Sequence, residues 1–250
     1  MKTACVVICS LLMARAASGQ DEEQRSEPET WFEITPYFWM AGMKGTVGVK
    51  GLSTEVGKSF SDLISDIDAG AMATARFRTG KFVVTGDFNW IKLSSDGDTP
   101  GGLFSGASVE AETFMASLTL GYRLPMGTGG HAELFAGARG WMIDTKIDFA
   151  AGTLPALHVD DDKEWVDPII GARFDYDLGK HWSINVLLDV GGFDVSSSLT
   201  GQVVLGATWH LSDHFGISLA YRYLADDFQD DGFRWDIAEH GFVLGIGIRF

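Results

Sequence analysis

His240-Gly-Phe-Val-Leu-Gly-Ile-Gly-Ile-Arg-Phe250 alternates along its whole length. Phe242, Leu244, Ile246, Ile248 and Phe250 fall on one face of an extended chain. Gly241, Val243, Gly245, Gly247 and Arg249 fall on the other. Successive side chains of a strand point to opposite sides. Large apolar groups on one side only describe a strand between an oily medium and a less oily one. One such strand decides little by itself, so the rest of the chain must repeat it.

It does. Alternating segments are read at Trp31–Ala41, Gly70–Thr79, Lys81–Leu93, Val109–Leu124, Ala132–Ile147, Trp165–Leu178, Trp182–Val195, Thr200–Leu211, Phe215–Ala225 and Ala238–Phe250. Most are longer than the ~9–11 residues a tilted strand needs to cross a bilayer. Thr79-Gly80-Lys81, Pro125–His131, Gly179-Lys180-His181 and Ser212-Asp213-His214 are tight connections. The connections around 42–69, 94–108, 148–164 and 226–237 read as long, and Ser196–Leu199 breaks the rule. Short turns on one side against longer loops on the other are the pattern of bacterial transmembrane barrels. The expected fold is therefore an all-β, antiparallel transmembrane barrel of about ten strands, with eight or twelve as alternatives.

Alternation also sorts the faces. Phe82, Phe88, Phe114, Leu118, Leu120, Leu188, Leu205, Leu219 and Tyr223 read as lipid-facing. Phe82, Tyr122, Trp182, Trp209 and Phe215 lie near short turns, where an aromatic girdle belongs. Arg76, Asp87, Glu133, Arg139, Asp167, Arg173, Asp175, Asp189, Arg222 and Arg249 fall on the opposite faces. Charge at mid-strand is costly against lipid, so these ten residues are expected to form a lumenal network of ion pairs. Asp189 and Arg173, on adjacent strands, are expected to share it.

One segment changes period. Phe60, Leu63, Ile64 and Ile67 stand at helical spacing, and Ser59 with Asp62 forms a capping box. Two turns do not stand alone, so this helix must pack on something. Plugging the barrel mouth and covering a hydrophobic rim are both open.

Lys2, the apolar run Ala4–Ala14 and the small residues Ala17-Ser18-Gly19 read as a secretory signal peptide spanning 1–19. The acidic stretch 20–30 reads as a disordered tail ahead of the barrel at 31–250. Cys5 and Cys9 both lie in the signal, leaving no disulfide or thiolate metal site afterwards. Cys9 follows Ile8, which argues against lipidation. Hydrophobic content is 46% with 31 glycines and 17 phenylalanines, yet mean hydropathy is only +0.07. A helix bundle in a membrane would be far more apolar, whereas a barrel hides its apolar face by alternation. The net charge of −15 argues against nucleic acid as a partner.

The C-terminal strand with Ile246, Ile248 and terminal Phe250 resembles the signal by which Gram-negative outer-membrane barrels are recognised by the barrel-assembly machinery. Trp31-Phe-Glu-Ile-Thr-Pro-Tyr-Phe-Trp39, Phe60-Ser-Asp-Leu63, Trp165-Val-Asp-Pro168, Asp189-Val-Gly-Gly-Phe193, Tyr221-Arg-Tyr223 and Arg249-Phe250 together resemble an uncharacterised family of proteobacterial outer-membrane proteins. More distantly the chain resembles OmpA-like and OmpW-like barrels. The resemblance implies a location in the outer membrane with both termini periplasmic. It carries no catalytic residues and no cofactor.

Candidate chemistry is sparse. His131, His181, His210 and His214 sit at or beside short turns with no metal-ligand spacing. His158 with Asp160 faintly resembles the Asp–His pairing of outer-membrane proteases, but no second carboxylate pair accompanies it. An enzyme is not expected. Residues 94–112, 144–164 and 226–239 carry sixteen acidic residues against three basic ones, nearly the whole net charge. Such loops suit lipopolysaccharide phosphates bridged by Ca²⁺ or Mg²⁺, since carboxylate oxygens suit hard cations. The expected function is a structural or surface-interaction barrel with a narrow charged lumen, monomeric or weakly associating. A narrow solute pore is the alternative.

Overall fold

The structure is a computed structural model that describes residues 29–97, 103–127 and 129–250. The expected signal peptide and most of the acidic tail lie outside the described residues. Eleven antiparallel strands run in chain order: β1 (Thr30–Val49), β2 (Leu52–Lys58), β3 (Ile67–Thr79), β4 (Phe82–Gly97), β5 (Phe104–Pro125), β6 (Gly130–Ala151), β7 (Leu157–Asp177), β8 (Trp182–Gly192), β9 (Leu199–His210), β10 (Phe215–Asp230) and β11 (Phe233–Arg249). From β3 onward each strand pairs with the next, β3 also pairs with β1, and β1 closes on β11 from Glu33↔Arg249 to Gly48↔Arg234. Closure removes the exposed edges an open sheet would present.

The ring proper has the ten strands read from the sequence, and β2 is extra. β1 pairs with β3 only from Thr30↔Thr79 to Pro36↔Ala73. Its other half pairs with β2 from Met43↔Lys58 to Val49↔Leu52. β1 thus changes partner half-way up, and a one-turn helix, α1 (Phe60–Leu63), lies against it there. Gly42 is required at this crossing, because a Cβ on it would meet the Lys58 carbonyl oxygen at 2.9 Å. Ser59 donates to the Asp62 carboxylate from its backbone nitrogen at 2.9 Å and from its hydroxyl at 2.6 Å. Those two bonds hold the Asp62 carboxyl below its ordinary range. The helix is shorter than its spacing suggested: Ile64 caps it and Ile67 opens β3.

The outward faces form a continuous apolar band. Leu118 is 64% exposed, and Leu120, Leu134, Ile170, Leu205, Leu219 and Ile246 are exposed with it. A soluble protein does not expose apolar surface on this scale. The band has a sharp upper limit. Trp90, Phe114, Met142 and Val166 give way two residues further on to Lys92, Glu112, Asp144 and Glu164. β8, with 11 residues, spans little more than the band, whereas β5 and β6 have 22 each and project well beyond it.

This extension corrects the expected loops. Much of 94–108, 148–164 and 226–237 is strand, and β10 joins β11 through the two-residue turn Asp231-Gly232. Both turn residues have positive φ, 42° and 79°, as an Asp-Gly hairpin turn of the twist-compatible type demands. Charge on the outward side of these segments disguised them as loops.

Candidate functional site

The interior is organised in tiers rising from the short-turn end. In the lowest, Trp31 lies between two guanidinium groups, Arg249 at 4.6 Å and Arg76 at 5.5 Å from its ring centre. Arg249 pairs with Glu33 at 2.9 Å and Arg76 with Glu133 at 2.6 Å. Glu133 leans over Gly121, where a Cβ would stand 2.5 Å from its carboxylate oxygen. One tier up, Asp87 accepts from Thr74 at 2.7 Å and from the Tyr37 hydroxyl at 3.2 Å. Arg222 donates to Tyr37 at 3.2 Å and lies over the Trp39 ring at 4.8 Å. Its distance to Asp87 is 3.4 Å.

Arg139 and Asp189 form the most enclosed pair, with side chains 0% and 1% exposed. Arg139 reaches both Asp189 oxygens at 2.9 Å and Thr200 at 3.1 Å, and Gln202 donates to the same carboxylate at 2.6 Å. Asp167 has no ion-pair partner among the described residues. It accepts instead from the backbone nitrogen of Ser197 at 2.8 Å and from its hydroxyl at 2.6 Å. The Asp226 carboxylate stands 3.0 Å from the same hydroxyl. Ser197 reaches inward because Gly192, Phe193 and Asp194 all take positive φ and fold the β8–β9 turn back on itself.

Above these pairs the lumen is filled with apolar side chains. Trp39, Met115, Trp141, Ile143, Trp165, Leu224, Phe228, Phe233, Trp235 and Ile237 form one buried cluster drawn from β1, β5, β6, β7, β10 and β11. Trp165 stacks on Trp141 at 5.9 Å and on Phe228 at 4.1 Å, and Trp141 meets Trp235 at 6.2 Å. Below the plug lies a cavity of about 250 Å³, lined by Arg76, Glu133, Arg173, Asp175 and Asp189 among others. It reaches the short-turn end, where His131, His210, Asp213 and His214 also line it.

The ten predicted lumenal charges therefore divide. Arg76 with Glu133, Asp87 with Arg222 and Arg139 with Asp189 are paired, and Arg249 takes Glu33, which was not among the ten. The expected link between Asp189 and Arg173 is absent. In register Arg173 faces Leu187 and Asp189 faces Gly171, so the two are staggered along the barrel, and Asp189 is taken by Arg139. The expected helical residues do not plug the lumen: Phe60 packs edge-on against the exposed ring of Phe38 at 5.9 Å, Leu63 and Ile67 are half-buried, and Ile64 is exposed. His158 lies on the exposed ribbon with its Nδ1 2.7 Å from Asp148, and 3.9 Å separates its Nε2 from Asp160.

The plug was missed altogether. Its signal is a change of phase. Along β11, Phe242, Leu244 and Ile246 are exposed outward, whereas Phe233, Trp235 and Ile237 are buried inward. Large apolar residues occupy even numbers in one stretch and odd numbers in the other, marking where lipid outside gives way to water.

No protein family model matches the chain, and no curated protein sequence matches it. Solved structures do show likeness. The translocator domain of the autotransporter NalP from Neisseria meningitidis is 10% identical over 98% of each chain, with a TM-score of 0.47. The outer membrane protease OmpT from Escherichia coli is 9% identical over 92% of this chain and 99% of its own, with a TM-score of 0.48. Ail, the attachment invasion locus protein of Yersinia pestis, is 12% identical over 89% of this chain and all of its own, with a TM-score of 0.36. The barrel is established by its own closed ladder, and these likenesses say nothing of activity.

Proposed function

We propose that this chain is an integral outer-membrane barrel that is sealed to solute and acts through its surface rather than as a pore. One observation carries the reading: the buried aromatic cluster that fills the lumen. Water and ions have no route past close-packed rings without moving them. The apolar band supports insertion in a bilayer, and β5, β6 and β7 continue beyond it as charged ribbons. In this reading the short turns and both ends of the described chain face the periplasm. The ribbons stand outside the cell, where Asp144, Asp160, Asp162 and Glu164 meet lipopolysaccharide phosphates through divalent cations. Assembly proceeds through the barrel-assembly machinery, with Phe250 as part of its recognition signal.

Single cysteines test the placement. On intact cells a membrane-impermeant maleimide is expected to label Asp160→Cys and to spare Lys180→Cys. Labelling at position 180 alone would invert the barrel and overturn the reading. The cation bridge is tested by thermal unfolding in vesicles containing lipopolysaccharide. Mg²⁺ is expected to raise the midpoint, and replacing Asp160, Asp161 and Asp162 with Asn is expected to remove most of that gain. An undiminished gain would exclude the ribbons as the contact.

A further inference from the structure

Two charges that line the cavity stand outside the lumenal ion pairs. Arg173 and Asp175 stand two residues apart on β7, both line the cavity, and neither makes a hydrogen bond or ion pair with another described residue. Register places Glu133 directly beside Arg173, yet the Glu133 carboxylate is taken by Arg76 across the lumen at 2.6 Å. Arg76 is near enough to Arg173 to repel it, while Asp175, Glu133 and Glu33 attract it without reaching it as ion pairs. An oxyanion placed between the two guanidinium groups would be attracted by both at direct contact. Asp175 lies nearer the short-turn end, in register with His131 on one side and Asn185 on the other.

Enclosed charges persist when something completes them. An anion alone would complete Arg173 and leave Asp175, and a cation alone would do the reverse. Side chains two apart on one strand face are ~7 Å apart, a span that one small molecule carrying both signs can bridge. We propose that this cavity is a binding site for a small zwitterion of the amino-acid class, its carboxylate on Arg173 and its ammonium on Asp175. A cavity of about 250 Å³ accommodates a free amino acid. Val83, Phe135, Ile169 and Leu187 form an apolar wall for the ligand's side chain. The aromatic plug closes the far end, so the ligand enters between the short turns.

This inference needs the cavity and its two unmatched charges, not the seal or the membrane placement, so a conductance result does not decide it. The test is calorimetric titration of the refolded full chain in detergent with L-alanine and L-leucine, and with acetate and ethylammonium as half-ligands. An amino acid is expected to bind at least tenfold more tightly than either half-ligand. Arg173→Gln and Asp175→Asn are each expected to weaken it at least tenfold. Heat-modifiable mobility checks that each variant is folded. If Arg173→Gln does not refold, Asp175→Asn decides, because Asp175 supports no pair in the barrel. No heat from either amino acid means the two charges are merely hydrated and overturns the proposal. Equal binding of acetate with no effect of Asp175→Asn means an anion site only, and overturns it too.

Discussion

Trp165 and Phe228 lie face to face, their ring centres 4.1 Å apart and their planes 1° from parallel, although their strands are not ladder neighbours. β7 loses its β8 partner above Ile169, and β10 loses its β9 partner above Asp227. The short β8–β9 hairpin leaves a notch in the wall, and this stack spans it from within. Lys163 and Asp230 close the same gap further up, 3.1 Å apart. The stack is thus both a stitch in the wall and the centre of the plug.

Removing either ring should therefore weaken the barrel and loosen the seal together. Trp165→Ala and Phe228→Ala are each expected to cost about 3–5 kcal/mol in reversible unfolding, the usual cost of deleting a buried aromatic side chain. The double variant should lose less than the sum, by about 0.5–1.5 kcal/mol, the coupling of a stacked pair. Strict additivity would mean the two rings act independently.

Arg139 and Asp189 form a pair that neither can leave cheaply, since both side chains are enclosed and hydrogen-bonded. Arg139→Gln should destabilise by about 3–5 kcal/mol, because an unpaired carboxylate remains in the lumen. Adding Asp189→Asn should recover part of that loss, as read by urea unfolding in lipid vesicles. A double variant as weak as the sum of the singles would show the pair to be uncoupled.

Leu118 sits within the apolar band with Leu120 two residues away, both well exposed. Leu118→Arg is expected to cost about 2–4 kcal/mol near the bilayer midplane. Asp162→Arg, on the exposed side just above the band and opposite Asp144, should stay near neutral. Equal penalties at the two positions would mean the upper limit of the band is misplaced.

Phe250 pairs with Phe32 through two backbone hydrogen bonds, at 2.8 and 3.3 Å, while its ring is 70% exposed. The ring stacks on Phe32 at 6.2 Å at the very end of the ladder, where it fastens one strand end only. Deleting Phe250 is expected to reduce the amount of heat-modifiable, inserted protein in cells far more than it lowers the unfolding midpoint of what does insert. Undiminished insertion would exclude the residue as an assembly signal.

Much of the barrel was legible in the sequence because lipid imposes a strict rule on one face. Phe242, Leu244 and Ile246 announce their strand without help from any contact. Arg139 and Asp189 were legible as lumenal by the same rule, but their partnership was not, since stagger around a barrel depends on register that alternation does not encode. The outer ribbons were hidden because water replaces lipid outside them: Asp144 and Glu164 look like loop residues until Trp141 and Trp165 are seen buried behind them. Asp231-Gly232 was a readable hairpin signal that the surrounding acid obscured. That Arg173 and Asp175 stand outside the ion pairs is visible only once the partners of Arg76, Asp87, Arg139 and Arg249 are known.

The central claim is that the aromatic cluster seals the lumen, and single-channel recording of the refolded protein in a planar bilayer tests it most directly. The wild-type chain is expected to show no stable open level under an applied voltage, while Trp165→Ala with Phe228→Ala shows discrete openings. A steady, ohmic conductance from the wild-type protein would contradict the seal and make the barrel a pore.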